Sequence, residues 1–224
     1  MQSHFLDVRA PSKIVLDFDG TVADTMPYLC QLAQFAITKH CGVQVNPQAY
    51  WATSGIPFAQ QIEKIVDRLS KGRQAAVEEF ENQKKKFLEH SAKPFSDVKP
   101  ASLKARQLGI ELAICSSTEG KLIRHFLDRH GLLHDFTTVL GLERGSKEQQ
   151  LVFLLSKKPP SSEILFVGDS FCDAVLADRA GVAFAALVRP SSRVLWPQNV
   201  RRFSTLVLLF RTLERVRGAK IWRT

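Results

Sequence analysis

Long apolar stretches are missing from this chain of 224 residues. No run of 18 or more apolar residues occurs, so we expect neither a transmembrane helix nor a membrane partner. The residues before the first strand pattern, which begin Met1-Gln2-Ser3-His4-Phe5, are too few for a secretory signal peptide. Internal repeats and low-complexity segments are absent as well. The length therefore predicts one α/β domain with room for a small insertion.

Cysteine and histidine are scarce and scattered. The six histidines form no cluster with metal-ligand spacing, and the four cysteines show neither that spacing nor a disulfide framework. Reduced thiols are the simplest interpretation, and they predict a cytoplasmic protein. The cysteines are Cys30, Cys41, Cys115 and Cys172.

Acidic residues are rare near the C-terminal end. The segment from Arg189 onward contains nine basic residues and one acidic residue, Glu214. The rest of the chain contributes only +1 to the formal charge of +9. A basic segment can attract nucleic acid, acidic lipid or an acidic partner, but it is more often a solvated helix face. We favour the solvated face and keep a nucleic-acid or partner-binding module as the alternative from another functional class.

The most informative stretch is Asp17-Phe18-Asp19-Gly20-Thr21. It follows Lys13-Ile14-Val15-Leu16, an apolar run that predicts a buried strand. Gly20 ends this strand, so Asp17 and Asp19 come at its carboxyl end, where open α/β sheets bind their ligands. Two carboxylates so close together repel each other and need a cation, a shared proton or separate roles. The stretch therefore indicates metal-assisted chemistry on an anionic substrate.

Residues 25–93 carry no strand pattern. Their apolar spacing predicts one helix that starts at Asp24 or Thr25 and further helices that end near residues 55, 69 and 90. Within the last of these, Lys84-Lys85-Lys86 is most simply a solvated face. Strands and helices then alternate, with strands at about 110–115, 137–140, 163–167 and 182–188. We expect a Rossmann-like parallel-sheet core, residues 1–24 and 94–224, with an all-helical insertion at 25–93.

Four motifs in this order resemble the haloacid dehalogenase-like superfamily, in particular its phosphatases. They are the Asp17 stretch, Ser116 after the second core strand, Lys147 at a helix start, and Gly168-Asp169-Ser170. The nearest pattern is that of phosphoglycolate and sugar-phosphate phosphatases. The resemblance implies a Mg²⁺-dependent phosphatase that hydrolyses a small phosphorylated metabolite through an aspartyl-phosphate. It also implies that residues 25–93 form a cap over the active site.

The two aspartates of the first motif suit different tasks. Asp17 suits the nucleophile of phosphoryl transfer, and the resemblance implies the same role. Asp19 suits the general acid for the leaving alcohol and then the base for water. In the family, the backbone carbonyl of this second position also binds Mg²⁺, which places Asp19 among the metal ligands.

The later motifs supply phosphate and metal ligands. Ser116 matches the hydroxyl that grips phosphoryl oxygens, although Ser117 and Thr118 leave the register open by one. Lys147 matches the cation that neutralises phosphate and nucleophile, with Lys157 and Lys158 as competitors. Asp169 is expected to bind the metal. Asp173 either binds Mg²⁺ or orients Lys147.

The substrate is expected to be chosen by a loop of the helical insertion, with Thr53, Gly55, Phe58 and Gln60 as candidate residues. A sugar phosphomutase is the enzymatic alternative, because it shares all four motifs. Mutases carry an arginine shortly after the cap-loop glycine, and Gly55-Ile56-Pro57-Phe58-Ala59 has none. Dehalogenases lack the second aspartate, so Asp19 argues against that activity.

Overall fold

The computed structural model describes residues 11–156 and 160–218, with side chains through residue 215. Its centre is a six-stranded parallel sheet in the order β3-β2-β1-β4-β5-β6. The predicted parallel α/β core is thereby confirmed. The strands are β1 (Lys13–Leu16), β2 (Glu111–Cys115), β3 (Thr138–Leu140), β4 (Ile164–Gly168), β5 (Ala183–Leu187) and β6 (Arg202–Phe203).

Alternate residues of each strand point to opposite sides of the sheet, and apolar residues occur on both sides. Helices therefore cover both faces. Ile14 and Leu16 belong to one apolar cluster, whereas Val15 belongs to the cluster on the other face. The flanking helices of the core are α5 (Val98–Gln107), α6 (Gly120–Arg129), α7 (Lys147–Leu155), α8 (Phe171–Arg179) and α9 (Leu206–Gly218). Among the described residues, no helix is long and apolar enough to cross a membrane.

Four helices lie between β1 and α5, and the described chain has no strand element there. They are α1 (Met26–Cys41), α2 (Pro47–Thr53), α3 (Phe58–Ile65) and α4 (Arg73–His90). Residues from Met26 to Phe80 form an apolar cluster of their own. The C-terminal part of α4 instead packs on the core through Leu88. The sequence predicted the bounds of α4 correctly, but α3 is shorter than predicted because its last helical residue is Ile65.

The entry and the exit of this helical region run side by side. The Asp24 amide donates to the Lys93 carbonyl at 2.9 Å, and the Phe95 amide donates to the Val22 carbonyl at 3.0 Å. Two adjacent connections of this kind are the usual form of a hinge pair. The helical region is thus joined to the rest of the chain by two adjacent connections.

Two features of the C-terminal part differ from the sequence prediction. The edge strand β6 was not predicted, because two residues are too few to show a periodic pattern. Arg189, counted with the basic segment, is buried rather than solvated. It donates to the Thr21 carbonyl at 2.8 Å and to Asp97 at 2.9 Å, and its guanidinium lies 3.8 Å from the centre of the Phe95 ring.

Candidate active site

Three neighbouring strands end at one edge of the sheet and carry the predicted motifs there. Asp17 follows β1, Ser116 follows β2 and Asp169 follows β4. The Asp17 amide still donates to the Val167 carbonyl at 2.9 Å, so the first aspartate continues the ladder between β1 and β4. All three residues are buried. The parallel topology thus brings together residues that are up to 152 positions apart in the sequence.

Gly20 turns the chain directly beside Asp169. Its φ of 77° lies in the left-handed region, and a Cβ atom at this position would overlap the Asp169 carboxylate. Only glycine meets both requirements without strain. The turn is closed by the amides of Val22 and Ala23, which both donate to the Phe18 carbonyl at 2.9 Å.

Lys147 bridges two carboxylates at the base of the site. Its Nζ atom lies 2.7 Å from Asp17 Oδ1 and 2.8 Å from Asp173 Oδ1. Burial alone would lower the pKa of this lysine, but the charges of Asp17 and Asp173 outweigh burial and raise it. Lys147 is therefore a permanent cation. It is held at the first turn of α7, whose start is stabilised by a capping box of Ser146 and Gln149.

One oxygen each of Asp17, Asp169 and Asp173 lies within 4.8 Å of the others. Burial, opposed by Lys147, raises the pKa of Asp17 to about 7. Burial and the neighbouring charges of Asp17 and Asp173 raise the pKa of Asp169 well above its ordinary value. The single positive charge of Lys147 therefore does not neutralise the three carboxylates. Carboxylate oxygens are the ligands that Mg²⁺ prefers, so these residues fit a magnesium site.

Asp173 already uses both of its oxygens within the protein. Oδ1 accepts from Lys147, and Oδ2 accepts from the Ser170 hydroxyl at 2.6 Å and from the Ser170 amide at 3.2 Å. These contacts form the capping box of α8. Of the two roles that the sequence left open for Asp173, they favour orienting Lys147.

Asp19 is held by three donors and points away from the cluster around Lys147. Thr25 donates to Oδ1 at 2.8 Å, and Oδ2 accepts from Thr118 at 2.6 Å and from Lys84 at 2.7 Å. Burial alone would raise the pKa of Asp19, but the charge of Lys84 and these hydrogen bonds hold it below its ordinary value. In this arrangement Asp19 is a charged hydrogen-bond acceptor.

Lys84 corrects the sequence analysis. The prediction of a solvated face fails for this residue, because its side chain is only 12% exposed and contacts Asp19. It also donates to the Thr118 hydroxyl at 2.6 Å. Its neighbour Lys85 is 52% exposed and lies 4.0 Å from the Glu89 carboxylate on the same helix. A helix of 3.6 residues per turn directs successive side chains about 100° apart, so a run of three lysines does not share one environment.

Comparison with known proteins decides the family. Residues 14–187 match the haloacid dehalogenase-like hydrolases. The chain belongs to this family. A provisionally named pyrophosphatase, PpaX, from Caldanaerobacter subterraneus subsp. tengcongensis is 27% identical over 181 residues, which cover 78% of this chain and 80% of that protein. A phosphoglycolate phosphatase from Vibrio cholerae is 29% identical over 185 residues, which cover 75% of this chain and 80% of that protein.

The fold of this haloacid dehalogenase-like hydrolase is shared with solved structures. A provisionally named hydrolase of the same kind from Bacteroides fragilis superposes with a TM-score of 0.76 at 22% sequence identity. The superposition covers 89% of this chain and 99% of that one. At this identity the likeness concerns the fold.

Ser116 and Ser117 have different surroundings in this hydrolase, although both line the cavity. The Ser117 hydroxyl donates to the Gly55 carbonyl at 3.1 Å and so links the core to the helical region. The Ser116 hydroxyl accepts from the Thr118 amide at 3.1 Å. Among the described residues, the Ser116 hydroxyl donates no hydrogen bond. Ser116 is therefore better placed than Ser117 to donate to a phosphoryl oxygen. The competitors of Lys147, Lys157 and Lys158, lie outside the described residues.

The candidate specificity residues divide into two groups. Gly55 and Phe58 line the cavity, and the chain at Gly55 approaches the core so closely that a Cβ atom would overlap the Ser170 hydroxyl. Thr53 donates back to the Ala49 carbonyl at 2.9 Å and does not line the cavity. Gln60 is exposed, and its neighbour Gln61 faces the cavity instead.

Sequence reasoning missed several cavity residues of the helical region. They are Tyr50, Gln61, Glu81 and Lys84, all of which line the same cavity as Asp17. Tyr50 and Gln61 are spaced by eleven residues and belong to different helices, so no motif could have linked them. The cavity volume is about 40 Å³. Since a water molecule needs roughly 10–15 Å³, this volume has room for a few waters.

Proposed function

We propose that this chain is a Mg²⁺-dependent phosphatase that hydrolyses small phosphomonoesters through a phosphorylated Asp17. The observation that carries the proposal is the 2.7 Å contact between Asp17 Oδ1 and Lys147 Nζ, beside Asp169, at the carboxyl edge of the sheet. A buried carboxylate next to a permanent cation and a second carboxylate suits the positioning and charge neutralisation that phosphoryl transfer needs. Membership of a hydrolase family supports the same conclusion.

Asp17 attacks phosphorus, and Lys147 offsets the negative charge of the nucleophile and the phosphate. The Ser116 hydroxyl donates to a non-bridging oxygen and fixes the orientation of the phosphoryl group. Asp173 holds Lys147 in place through their contact of 2.8 Å. The four side chains lie together at the carboxyl edge of the sheet, which supports these roles.

Asp17, Asp169 and the backbone carbonyl of Asp19 would hold the metal, and Asp173 would orient Lys147. The raised pKa values of Asp17 and Asp169 support a divalent cation here, because a cation offsets the burial and the carboxylate repulsion that raise them. When bound, Mg²⁺ supplies charge neutralisation of the transferring phosphoryl group.

Asp19 protonates the leaving alcohol and then takes a proton from the attacking water. The first step requires that Asp19 takes up a proton and that Lys84 turns from Asp19 towards the anionic substrate, since a carboxylate held by three donors carries no proton to give. Opening of residues 25–93, the proposed cap, on the paired connections at Asp24 and Phe95 would separate Lys84 from Asp19. The same motion admits the substrate to the small cavity.

The substrate is proposed to be a small phosphorylated metabolite. The relatives named above include a phosphoglycolate phosphatase and a provisionally named pyrophosphatase. Both names denote small anionic substrates. A panel of 2-phosphoglycolate, pyrophosphate, sugar phosphates and p-nitrophenyl phosphate, assayed with Mg²⁺ and with EDTA, identifies the substrate class. Interconversion of sugar phosphates without phosphate release would favour the mutase instead.

Two variants separate the roles of the aspartates. Asp17→Asn removes the attacking charge and is expected to abolish turnover. Asp19→Ala lacks the base of the second step, and general acid–base help is worth about 10²–10⁴-fold. With p-nitrophenyl phosphate, whose leaving group needs little protonation, Asp19→Ala is expected to accumulate phosphate on Asp17. Intact-mass spectrometry after an acid quench measures one added phosphoryl group. Phosphate found on Asp17→Asn, or on a serine or histidine, contradicts the assignment.

A further inference from the structure

Gln150 is a fully buried polar residue of α7 that the proposed mechanism does not use. Its side-chain amide forms four hydrogen bonds with backbone groups. Oε1 accepts from the Ser116 amide at 3.0 Å, and Nε2 donates to the Ser116 carbonyl at 2.9 Å. Nε2 also lies 2.9 Å from the carbonyl oxygens of Gly141 and Gly145.

The pair of contacts with Ser116 imitates a neighbouring β-strand. Ser116 follows the last residue of β2, where the regular ladder ends, and its amide retains only a longer contact of 3.2 Å to the Leu140 carbonyl. A side-chain amide offers a donor and an acceptor in one plane, as a backbone peptide does. Gln150 therefore extends the pairing of β2 by one residue and fixes the backbone that presents the Ser116 hydroxyl.

The side-chain amide of Gln150 also donates to the carbonyls of two glycines in the turn before α7. Gly141 and Gly145 flank that turn, and Ser146 then begins the helix. Two N–H groups face three carbonyl oxygens, so the donor capacity of Gln150 is fully used. One buried side chain thus joins the Ser116 loop, the turn and α7.

Lys147 lies three residues before Gln150, on the same turn of α7. Side chains three apart on a helix are neighbours, so the residue that grips Ser116 moves together with the residue that contacts Asp17. We infer that Gln150 is a positioning residue, which holds the Ser116 hydroxyl in register with Lys147 so that both meet the same phosphoryl group. This inference rests on the proposed function, because it takes Ser116 and Lys147 as the phosphate contacts.

The test measures phosphate affinity in Gln150→Met, which keeps the side-chain volume and removes all four hydrogen bonds. A displacement of about 1 Å can cost on the order of 10²-fold in a phosphoryl-transfer site. We expect the inhibition constant of inorganic phosphate and the KM for p-nitrophenyl phosphate to rise at least tenfold, at a temperature where circular dichroism shows the variant folded. A purely structural role would lower the active fraction, and hence kcat, without changing either constant.

Gln149→Ala is the matched control on the same helix. Gln149 is exposed, and its side chain accepts from the Ser146 amide at 2.9 Å in the capping box. Its loss weakens the start of α7 without touching Ser116, so the inhibition constant of phosphate is expected to stay within twofold of wild type. An equal rise in Gln149→Ala and Gln150→Met overturns the inference.

Gln150→Glu decides the case if the methionine variant does not fold. Three carbonyl oxygens repel a buried carboxylate, so this side chain takes up a proton. The neutral acid still accepts from the Ser116 amide and donates to one carbonyl, so a weaker rise in both constants is expected. Wild-type constants in a folded variant refute the positioning role, and loss of folding in both variants reduces Gln150 to a structural residue. If wild-type protein shows no activity that Asp17→Asn abolishes, it is the proposed function that fails.

Discussion

Lys84 shows that the chemistry of one residue can depend on the direction of a single side chain. Its ammonium reaches Asp19 and Thr118 from α4 and connects the helical region to the core through the proposed general acid. Hydrogen bonds to a charged partner in a buried site contribute about 1.5–3 kcal/mol. The contact is therefore strong enough to influence both closure of the cavity and the state of Asp19.

Replacement of Lys84 by methionine tests this contact. We expect Lys84→Met to lower kcat/KM for the best substrate by about 10-fold or more, because the cavity loses its cation on the side of the helical region. Lys85→Met is the matched control, since Lys85 is 52% exposed, and its kcat/KM should remain within twofold of wild type. Steady-state kinetics measure both variants. Equal effects in the two would show that Lys84 acts only through the net charge of α4.

At the scale of elements, the stacking of α3 on α4 gives Phe58 a structural role beside its place in the cavity wall. Phe58 is buried, and its ring lies parallel to that of Phe80, with 3.8 Å between the ring centroids. The sequence suggested a substrate-selecting side chain at this position. The structure shows that the ring also closes the apolar cluster of the helical region.

Phe58→Ala is accordingly expected to lower the free energy of unfolding of the helical region by about 3–5 kcal/mol, the usual cost of such a truncation in a packed core. Leu69→Ala is the control, because Leu69 is 91% exposed and its loss should cost less than about 0.5 kcal/mol. Urea unfolding followed by tryptophan fluorescence reports on this region through Trp51, which belongs to the same cluster. If Phe58→Ala is as stable as wild type but has an altered KM, Phe58 selects the substrate and does not stabilise the helical region.

At the scale of the whole molecule, the acidic cluster links stability to pH and to metal. The pKa of the Asp17 carboxyl is about 7 in the folded protein and near 3.8 in the unfolded chain. Between these values the folded state binds a proton that the unfolded state has lost, so stability falls as pH rises from about 4 to about 7. The raised pKa of Asp169 acts in the same direction.

Comparison with Asp17→Asn isolates this effect from the other carboxylates. In EDTA, the melting temperature of wild-type protein relative to Asp17→Asn is expected to fall between pH 5 and pH 8. Excess Mg²⁺ at pH 8 should raise the melting temperature of wild type, because a ligand of the folded state stabilises it by mass action. Differential scanning calorimetry measures both. A difference in melting temperature that does not change with pH would mean that the charge of Asp17 is already balanced in the metal-free protein, so that its pKa is not raised.

The charge of the whole molecule remains concentrated near its C-terminal end. Arg189 is buried, but the other basic side chains described there are exposed, in keeping with a solvated face; they are Arg193, Arg201, Arg202, Arg211 and Arg215. Lys220 and Arg223 lie outside the described residues. Binding of nucleic acid or of a partner by this segment stays the alternative to a solvated face, and a gel shift that weakens steeply with salt would support it.

Much of the fold was open to prediction, because its determinants are local. The β-branched run before Asp17, the capping serine before Lys147 and the apolar spacing of residues 73–90 each specify an element through its immediate neighbours. Parallel pairing then follows from the alternation of strands and helices, and it places Asp17, Ser116 and Asp169 at one edge. The sequence did not predict the edge strand β6 or the end of α3 at Ile65. Short elements depend on tertiary contacts more than on a periodic pattern.

Motif spacing and periodicity encode the family, the parallel core and the residues at the strand edge within short segments, so these features can be predicted from the sequence. The directions of the side chains of residues 25–93 depend on the fold, which distinguishes Lys84 from Lys85 and Gln61 from Gln60. The same holds for Gln150, whose four partners come from segments up to 34 positions away. The physical reason is that a side chain's charge and hydrogen bonds acquire their effect from burial and from partners across the fold, and local sequence specifies neither.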